Sequence, residues 1–427
     1  MQKILLQIRK ECLNYSKSEK LFFVFAIICG FFITSEYAVT KPTSTSIFIE
    51  HYGMRLYPYA WLATLPLNLC VVTLYNRFLP YLGCFRMFVC TIFLTIGVNI
   101  AVAIWVTSCP FLSFFLYVWK DIYVLLMFQQ LWSIIHIRTE MSKAKYLYGI
   151  LFGFSGCGSI CGSMIPSFFA VKVGSENLLF MTLPLYVCLM IFYYFMLGHY
   201  HYSNHKDLHI TSHKMSQGRR LISSSTALKF VLLIVIFMQF ATTIIQFQFD
   251  SVLHLKLPIQ DVRTKFYGWL WAIINTWKLC FQFFATFLLV QFLGLRKSHF
   301  VIPGILLFNS ILVLCYPGFF IITYSFVVIK SFDYSIFNII KEMLYIPLKT
   351  DEKFKAKAII DVFAYRSAKA LASLFVIIMQ IFCPFHLPYA FSWGPFAFFI
   401  IWIGVLIFFV KGVSFDTHVE QFAKTKC

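Results

Sequence analysis

Runs of about twenty consecutive apolar residues recur along this chain, and no other feature restricts its fold so strongly. A helix needs about 20 such residues to cross the hydrocarbon core of a bilayer, and in lipid only helices and closed barrels satisfy their own backbone. The runs lie near 21–47, 56–76, 86–107, 110–135, 147–171, 177–198, 228–252, 266–292, 299–316, 318–346, 357–382 and 390–410. The loops between them leave no room for a soluble domain. With 60% hydrophobic and only 12% charged residues, the chain falls outside the soluble globular range. An all-α integral membrane protein with about twelve transmembrane helices in the lipid bilayer is expected. The polar segment up to Lys20 precedes a run too long for a signal peptide and without a small-residue cleavage site, so no leader is expected to be removed.

A formal net charge of +19 invites a nucleic-acid or polyanion reading, and its placement argues against one. Lys3, Arg9, Lys10, Lys17 and Lys20 precede the first span, Arg77 and Arg86 flank the second loop, and Arg138, Lys143 and Lys145 lie by the fourth. Lys206, Lys214, Arg219 and Arg220 fill the central loop, Arg296 and Lys297 the eighth, and Lys349, Lys353, Lys355 and Lys357 the tenth. Lys411, Lys424 and Lys426 close the chain, while the intervening loops hold few cations: Arg55, Lys172, Lys256, Arg263 and Lys265. That alternation follows the positive-inside rule and puts both termini and the central loop in the cytoplasm. Most of the charge is topogenic, and no nucleic-acid partner is expected. The thirteen cysteines show no zinc-ligand spacing. Cys157 and Cys161 share a face beside Gly153, Gly156, Gly158 and Gly162, which reads as a small-residue packing surface with the cysteines buried.

Similarity between the halves divides the chain at 199–226, giving six-span halves at 1–198 and 227–427 joined by a cytoplasmic linker. Asp121 and Asp333 are 212 positions apart, as are Lys143-Ala144-Lys145 and Lys355-Ala356-Lys357. Leu82-Gly83 and Leu293-Gly294 differ by 211. A parallel duplication of this kind places a substrate site near the bilayer midplane at the repeat interface. In the linker, His201, His205, His209 and His213 are four apart. That spacing suits a metal or a pH switch, but Asp207 is the only supporting carboxylate, and a solvated linker is the favoured reading. No metal or other cofactor is expected.

An ionisable group in the bilayer core is costly and is therefore a site candidate by default. The candidates are Glu36, Lys41, Lys120, Asp121, Asp250, Lys278, Lys330 and Asp333, four acidic and four basic. Lys330 and Asp333 are placed to pair along one helix, and Lys120 and Asp121 are about 100° apart around theirs. In span one, Pro42 follows Lys41, and Thr43, Ser44, Thr45 and Ser46 follow the proline. Two readings stand level. Either the helix breaks and restarts, exposing an anion-binding N-terminus beside Lys41, or it kinks, its hydroxyls bonding back a turn while Lys41 snorkels. Along span four, Gln129, Gln130 and His136 are polar enough for a base or ribose, and Trp119 and Trp132 offer a stacking face or an interface anchor. Nothing resembles a catalytic triad or an ATPase motor, so the chain is not expected to be an enzyme.

The stretch KEMLYIPLKTDEKFKAKAIIDVFAYRSAKALAS resembles the nucleotide exchange transporters of the plastid and intracellular-parasite ADP/ATP translocase type. Glu342, Met343, Tyr345, Ile346, Pro347 and Leu348 match that family's Glu-Met-Ala-Tyr-Ile-Pro-Leu. Lys355, Lys357, Ala358, Ile360, Asp361 and Val362 match its Lys-x-Lys-Ala-x-Ile-Asp-Val, and Lys369 a later lysine. Trp132 and the segment with Lys143, Ala144, Lys145, Tyr146, Phe152 and Gly153 resemble its fourth-span patch, with Ser142 in place of a glutamate. Lys41 stands where its first-span arginine would be, and Ser44 and Thr45 where a Lys-Asp pair would be. In span seven Gln246 replaces a glutamate and Asp250 a lysine.

The resemblance implies a major-facilitator-like carrier exchanging ATP for ADP, in the inner membrane of an intracellular bacterium. Its small-molecule substrate, a nucleotide or another metabolite, would meet Lys41, Lys120, Asp121, Gln246, Lys278, Lys330 and Asp333. Arg138, Glu342, Lys355, Lys357, Asp361 and Arg366 would form a cytoplasmic gate. The altered charges also fit a carrier for a cationic, zwitterionic or proton-coupled metabolite. A non-transporting receptor or scaffold is the remaining alternative, and the oligomeric state is not legible.

Overall fold

The structure is a computed structural model. It describes the backbone of residues 16–138, 141–198, 226–282, 286–344, 360, 364–382 and 387–412, and the side chains of 16–135, 149–198, 228–282, 300–342, 360, 364–382 and 391–408. The described residues are almost wholly helical: α1 (Lys17–Tyr52), α2 (Tyr57–Trp105), α3 (Phe111–Arg138), α4 (Met141–Val173) and α5 (Leu183–Gly198), the last preceded by a 3-10 turn at Asn177–Thr182. Then come α6 (Thr226–Lys256), α7 (Gln260–Cys280), α8 (Thr286–Cys315), α9 (Phe319–Phe332), a π-helical stretch at Asp333–Phe337, α10 (Asn338–Leu344), α11 (Tyr365–Phe382) and α12 (Leu387–Gly412).

Among the described residues, 9 helical stretches are long and apolar enough to cross a membrane. One of them, α2, is 49 residues long and leaves helical geometry at Gly83 (φ 73°, ψ 166°). Each side of that break is long enough for a span. With the shorter apolar stretch Phe300–Cys315 and α7, this agrees with an architecture of about twelve spans. α7 escapes the apolar criterion because it buries Arg263, Thr264 and Asn275.

The chain divides into two compact units: Met1–His209 with Leu257–Thr276, and Ile210–Lys256 with Trp277–Cys427. In the first unit α1 packs against α3, α4 and α5. Its start is fixed by a capping box: Glu19 N donates to Ser16 Oγ (3.2 Å) and Ser16 N to Glu19 Oε2 (2.8 Å). In the second unit α6 packs against α9, α11 and α12, and α8 against α12.

The structure decides between the two readings of span one and corrects the reading of the cysteines. α1 is one continuous helix through Pro42, so there is no restarted helix and no exposed N-terminus beside Lys41. The hydroxyls turn back instead: Thr43 Oγ1 donates to Val39 O (2.8 Å), Ser44 Oγ to Lys41 O (3.1 Å) and Thr45 Oγ1 to Lys41 O (2.9 Å). The correction concerns cysteine. Cys157 and Cys161 are exposed, as are Cys70, Cys90, Cys109, Cys280 and Cys315, while Cys29 is buried. The close packing belongs to the glycines. A Cβ added at Gly158 would overlap the carbonyl of Phe31, and one at Gly162 that of Ser35, so α1 and α4 meet nearly backbone to backbone.

Gly162→Val should therefore destabilise the protein by about 1–3 kcal/mol. Gly149→Ala, at a position with open space around its Cα, should stay near wild type. Thermal unfolding of the detergent-purified proteins measures both.

Candidate functional site

In the first unit α1 is polar around much of its circumference, and Glu36, Thr40, Thr43, Ser44, Thr45 and Ser46 are all buried. Lys41 Nζ stands 3.4 Å from the centroid of the Trp271 ring and 5.5 Å from that of Tyr37. Both distances are within the range where an aromatic face attracts a cation. Lys41 thus sits on an indole face rather than snorkelling. Tyr37 OH donates to Asp121 Oδ1 (2.9 Å), so α1 and α3 are tied one turn from the lysine.

Lys120 is turned differently. It is 2% exposed, lies 3.2 Å from the centroid of Tyr117 and donates to Tyr117 O (2.7 Å). Tyr117 belongs to an aromatic cluster with Phe48, Tyr57 and Trp61 and accepts from Trp61 Nε1 (2.6 Å). Lys120 and Asp121 therefore point into different surroundings, as their angular separation requires. Glu36 is held by Thr40 Oγ1, which donates to its Oε1 (2.6 Å), and by Tyr123 OH, 2.9 Å from both carboxylate oxygens.

In the second unit Asp333 opens the π-helical stretch and accepts from Gln239 Nε2 (3.0 Å). A π-helical turn shifts the side chains after it by one position and is frequent at functional sites. Lys330, also buried, lies 5.8 Å from the ring centroids of Phe326 and Tyr334. Gln246 is half-buried on α6, with the buried pair Gln248 and Ser392 close by, Gln248 Nε2 donating to Ser392 Oγ (2.7 Å). Phe249 stacks on Phe326 at 4.3 Å and fastens α6 to α9. Lys278 is half-buried near the end of α7. It adjoins Trp277, whose ring stacks on Phe281 at 5.4 Å. The two units share one device: in each, a polar side chain on the first helix donates to the aspartate of the matched pair Asp121 and Asp333.

Of the expected gate residues, Glu342 and Arg366 are half-buried at the end of α10 and the start of α11. Lys355, Lys357, Asp361, the side chain of Arg138 and the histidines of the linker lie outside the described residues. Gln130 does not stand open to a ligand: it accepts from Tyr75 OH (2.8 Å) and donates to Cys84 O, bridging the break in α2. Trp119 is buried, with Nε1 on Thr95 Oγ1 (3.3 Å).

The sequence reading placed Arg263 in a loop. It lies in the first turn of α7 with 0% exposure. It donates to Glu50 Oε2 (2.9 Å), Ser46 O (3.0 Å) and Pro258 O (3.1 Å). Around it, Asp261 Oδ1 accepts from Ser175 N (2.7 Å) and Ser175 Oγ (2.6 Å), and Gln260 Nε2 donates to Glu176 Oε1 (2.6 Å). This network fastens the start of α7 to the end of α1 and the α4–α5 turn. The clue available in the sequence was a cluster of polar residues at the head of an amphipathic helix.

Several solved structures, all of transporters, share this architecture. A point mutant of nucleoside transporter NupG superposes with a TM-score of 0.67 at 11% identity, covering 90% of this chain and 99% of its own. A D-xylose-proton symporter gives 0.64 at 12% identity, covering 92% and 97%. A POT family transporter in complex with 5-aminolevulinic acid gives 0.63 at 12%, covering 90% and 95%. These likenesses establish a major-facilitator-like fold. Residues 267–414, about a third of the chain, match the family described as TLC ATP/ADP transporter, and that match together with the fold supports a membrane transporter of a nucleotide or another small molecule. Comparison with curated proteins finds no match.

Removing Arg263 strands the carbonyls of Ser46 and Pro258. Arg263→Ala should lower stability by about 1–3 kcal/mol. Glu50→Gln, at a half-exposed side chain, should change it little, and thermal unfolding in detergent separates the two.

Proposed function

We propose that the chain exchanges ATP for ADP by alternating access across the inner membrane of a bacterium living inside another cell, with both termini cytoplasmic. The observation that carries this reading is the match of residues 267–414 to the ATP/ADP transporter family. That stretch includes Lys278, Lys330, Asp333 and most of the gate. In this reading the six-span halves 1–198 and 227–427, joined by the linker 199–226, work as a duplicated pair, with Asp121 and Asp333 at matched positions.

The geometry supports roles for individual residues. Lys41 is held on the indole of Trp271, which fixes a cation beside an aromatic surface, a combination suited to a phosphate and a base on one ligand. Lys120, Lys278 and Lys330 supply further positive charge, and Asp121, Asp333 and Gln246 orient the ligand through hydrogen bonds. Arg138, Glu342, Lys355, Lys357, Asp361 and Arg366 form the cytoplasmic gate.

A second reading keeps the carrier and changes the substrate. It is favoured by Ser44 and Thr45, which stand where the resembled family has a charged pair and whose hydroxyls bond back to Lys41 O. Stabilisation of the purified protein by a non-nucleotide metabolite alone, in a thermal-shift screen, would decide for it.

Loss of a phosphate-pairing charge from a desolvated site costs about 2–5 kcal/mol. Lys41→Ala and Lys330→Ala should therefore each reduce uptake of labelled ATP into ADP-loaded proteoliposomes at least tenfold, to order of magnitude. Uptake at the wild-type rate in both variants would remove these lysines from the site.

A further inference from the structure

Glu36 is a carboxylate deep in a membrane-spanning bundle, 1% exposed, yet its partners are all hydroxyls. Among the described residues no lysine, arginine or histidine reaches it. On its own helix it meets Thr40. From α3 it meets Tyr123, and the buried hydroxyl of Tyr186 on α5 stands near the same carboxyl group without a hydrogen bond to it. α4 offers no charged group to it, since Gly158 and Gly162 leave only backbone and small side chains at that contact. The nearest charges by position are directed elsewhere, Lys120 to the carbonyl and ring of Tyr117 and Asp121 to Tyr37.

A buried carboxylate paired with a cation is held in its ionised form, and breaking such a pair is strongly unfavourable. A hydroxyl cage works differently, because each hydroxyl is both a donor and an acceptor. Ionised, Glu36 accepts from Thr40 and Tyr123. Protonated, its O–H donates to Thr40 Oγ1 or to Tyr123 OH, whose own hydrogen rotates away. The heavy atoms keep their places in both states. A glutamine in the same cage, with its fixed amide donors, would offer only one of these states.

We infer that Glu36 is a proton-binding site of the transport cycle, taking one proton from water on one side of the membrane and returning it to water on the other. The carboxylate becomes a carboxylic acid and then a carboxylate again, so no further reactant is needed. This inference rests on the chain being a carrier and is independent of the substrate. It makes net transport sensitive to a proton gradient.

Infrared difference spectroscopy on the purified full-length protein in lipid tests it without any substrate. Wild type should show a carboxylic-acid C=O band that disappears reversibly as pH is raised. The band should be missing in Glu36→Gln and displaced in frequency in Tyr123→Phe, which removes one hydrogen-bond partner. Glu36→Asp, which keeps the acid, should show a titrating band at a new frequency, and serves if Glu36→Gln does not fold. In proteoliposomes, an imposed pH gradient should change labelled-ATP uptake several-fold in wild type and in Glu19→Gln but not in Glu36→Gln. A titrating band unchanged in Glu36→Gln, a wild-type spectrum with no titrating carboxyl, or gradient-sensitive uptake in Glu36→Gln would overturn the inference. If no nucleotide is carried at all, the nucleotide reading fails while the infrared result still decides about Glu36.

Discussion

Charge is expensive inside a bilayer, and how each buried charge is held governs the rest of this structure. Lys41 rests on the indole of Trp271, Lys120 on the ring and carbonyl of Tyr117, and Lys330 near two aromatic rings. Asp121 and Asp333 each accept from a side chain on the first helix of their unit. Aromatic faces attract a cation without neutralising it.

These placements depend in turn on packing. Gly158 and Gly162 bring α4 against the backbone of α1, while Glu36 meets Tyr123 of α3 and Lys41 meets Trp271 of α7. The network around Arg263 fixes the head of α7, the helix that carries Trp271. These contacts link membrane packing, where small residues allow close approach, to the chemistry of the site.

Much of the fold was legible in the sequence because lipid enforces a simple rule of length and apolarity. The spans, the break at Gly83 and the matched aspartates all carry local signals. The site was legible only as a set of costly charges. Which way each charge turned depends on distant partners: nothing near Lys41 in the sequence names Trp271, and nothing near Asp121 names Tyr37. Pro42 left a break and a kink level in the sequence, because whether the surrounding helices hold the chain helical is a tertiary property; the helix runs on, with the Thr43, Ser44 and Thr45 hydroxyls bonded back to Val39 O and Lys41 O. Arg263 escaped notice because the positive-inside pattern treats every cation near a span end as topogenic, and its burial is a tertiary property. Gln130 looked like a ligand contact and is used to bridge the break in α2.

The central proposal is that the chain exchanges one nucleotide for another. Its most direct measurement is counterflow: purified protein in proteoliposomes loaded with unlabelled ADP, with labelled ATP outside, beside empty vesicles. The account predicts transient accumulation of label only in the loaded vesicles, abolished by excess external ADP. No accumulation of any labelled nucleotide, under conditions where an ATP/ADP transporter of the same family works, would contradict it.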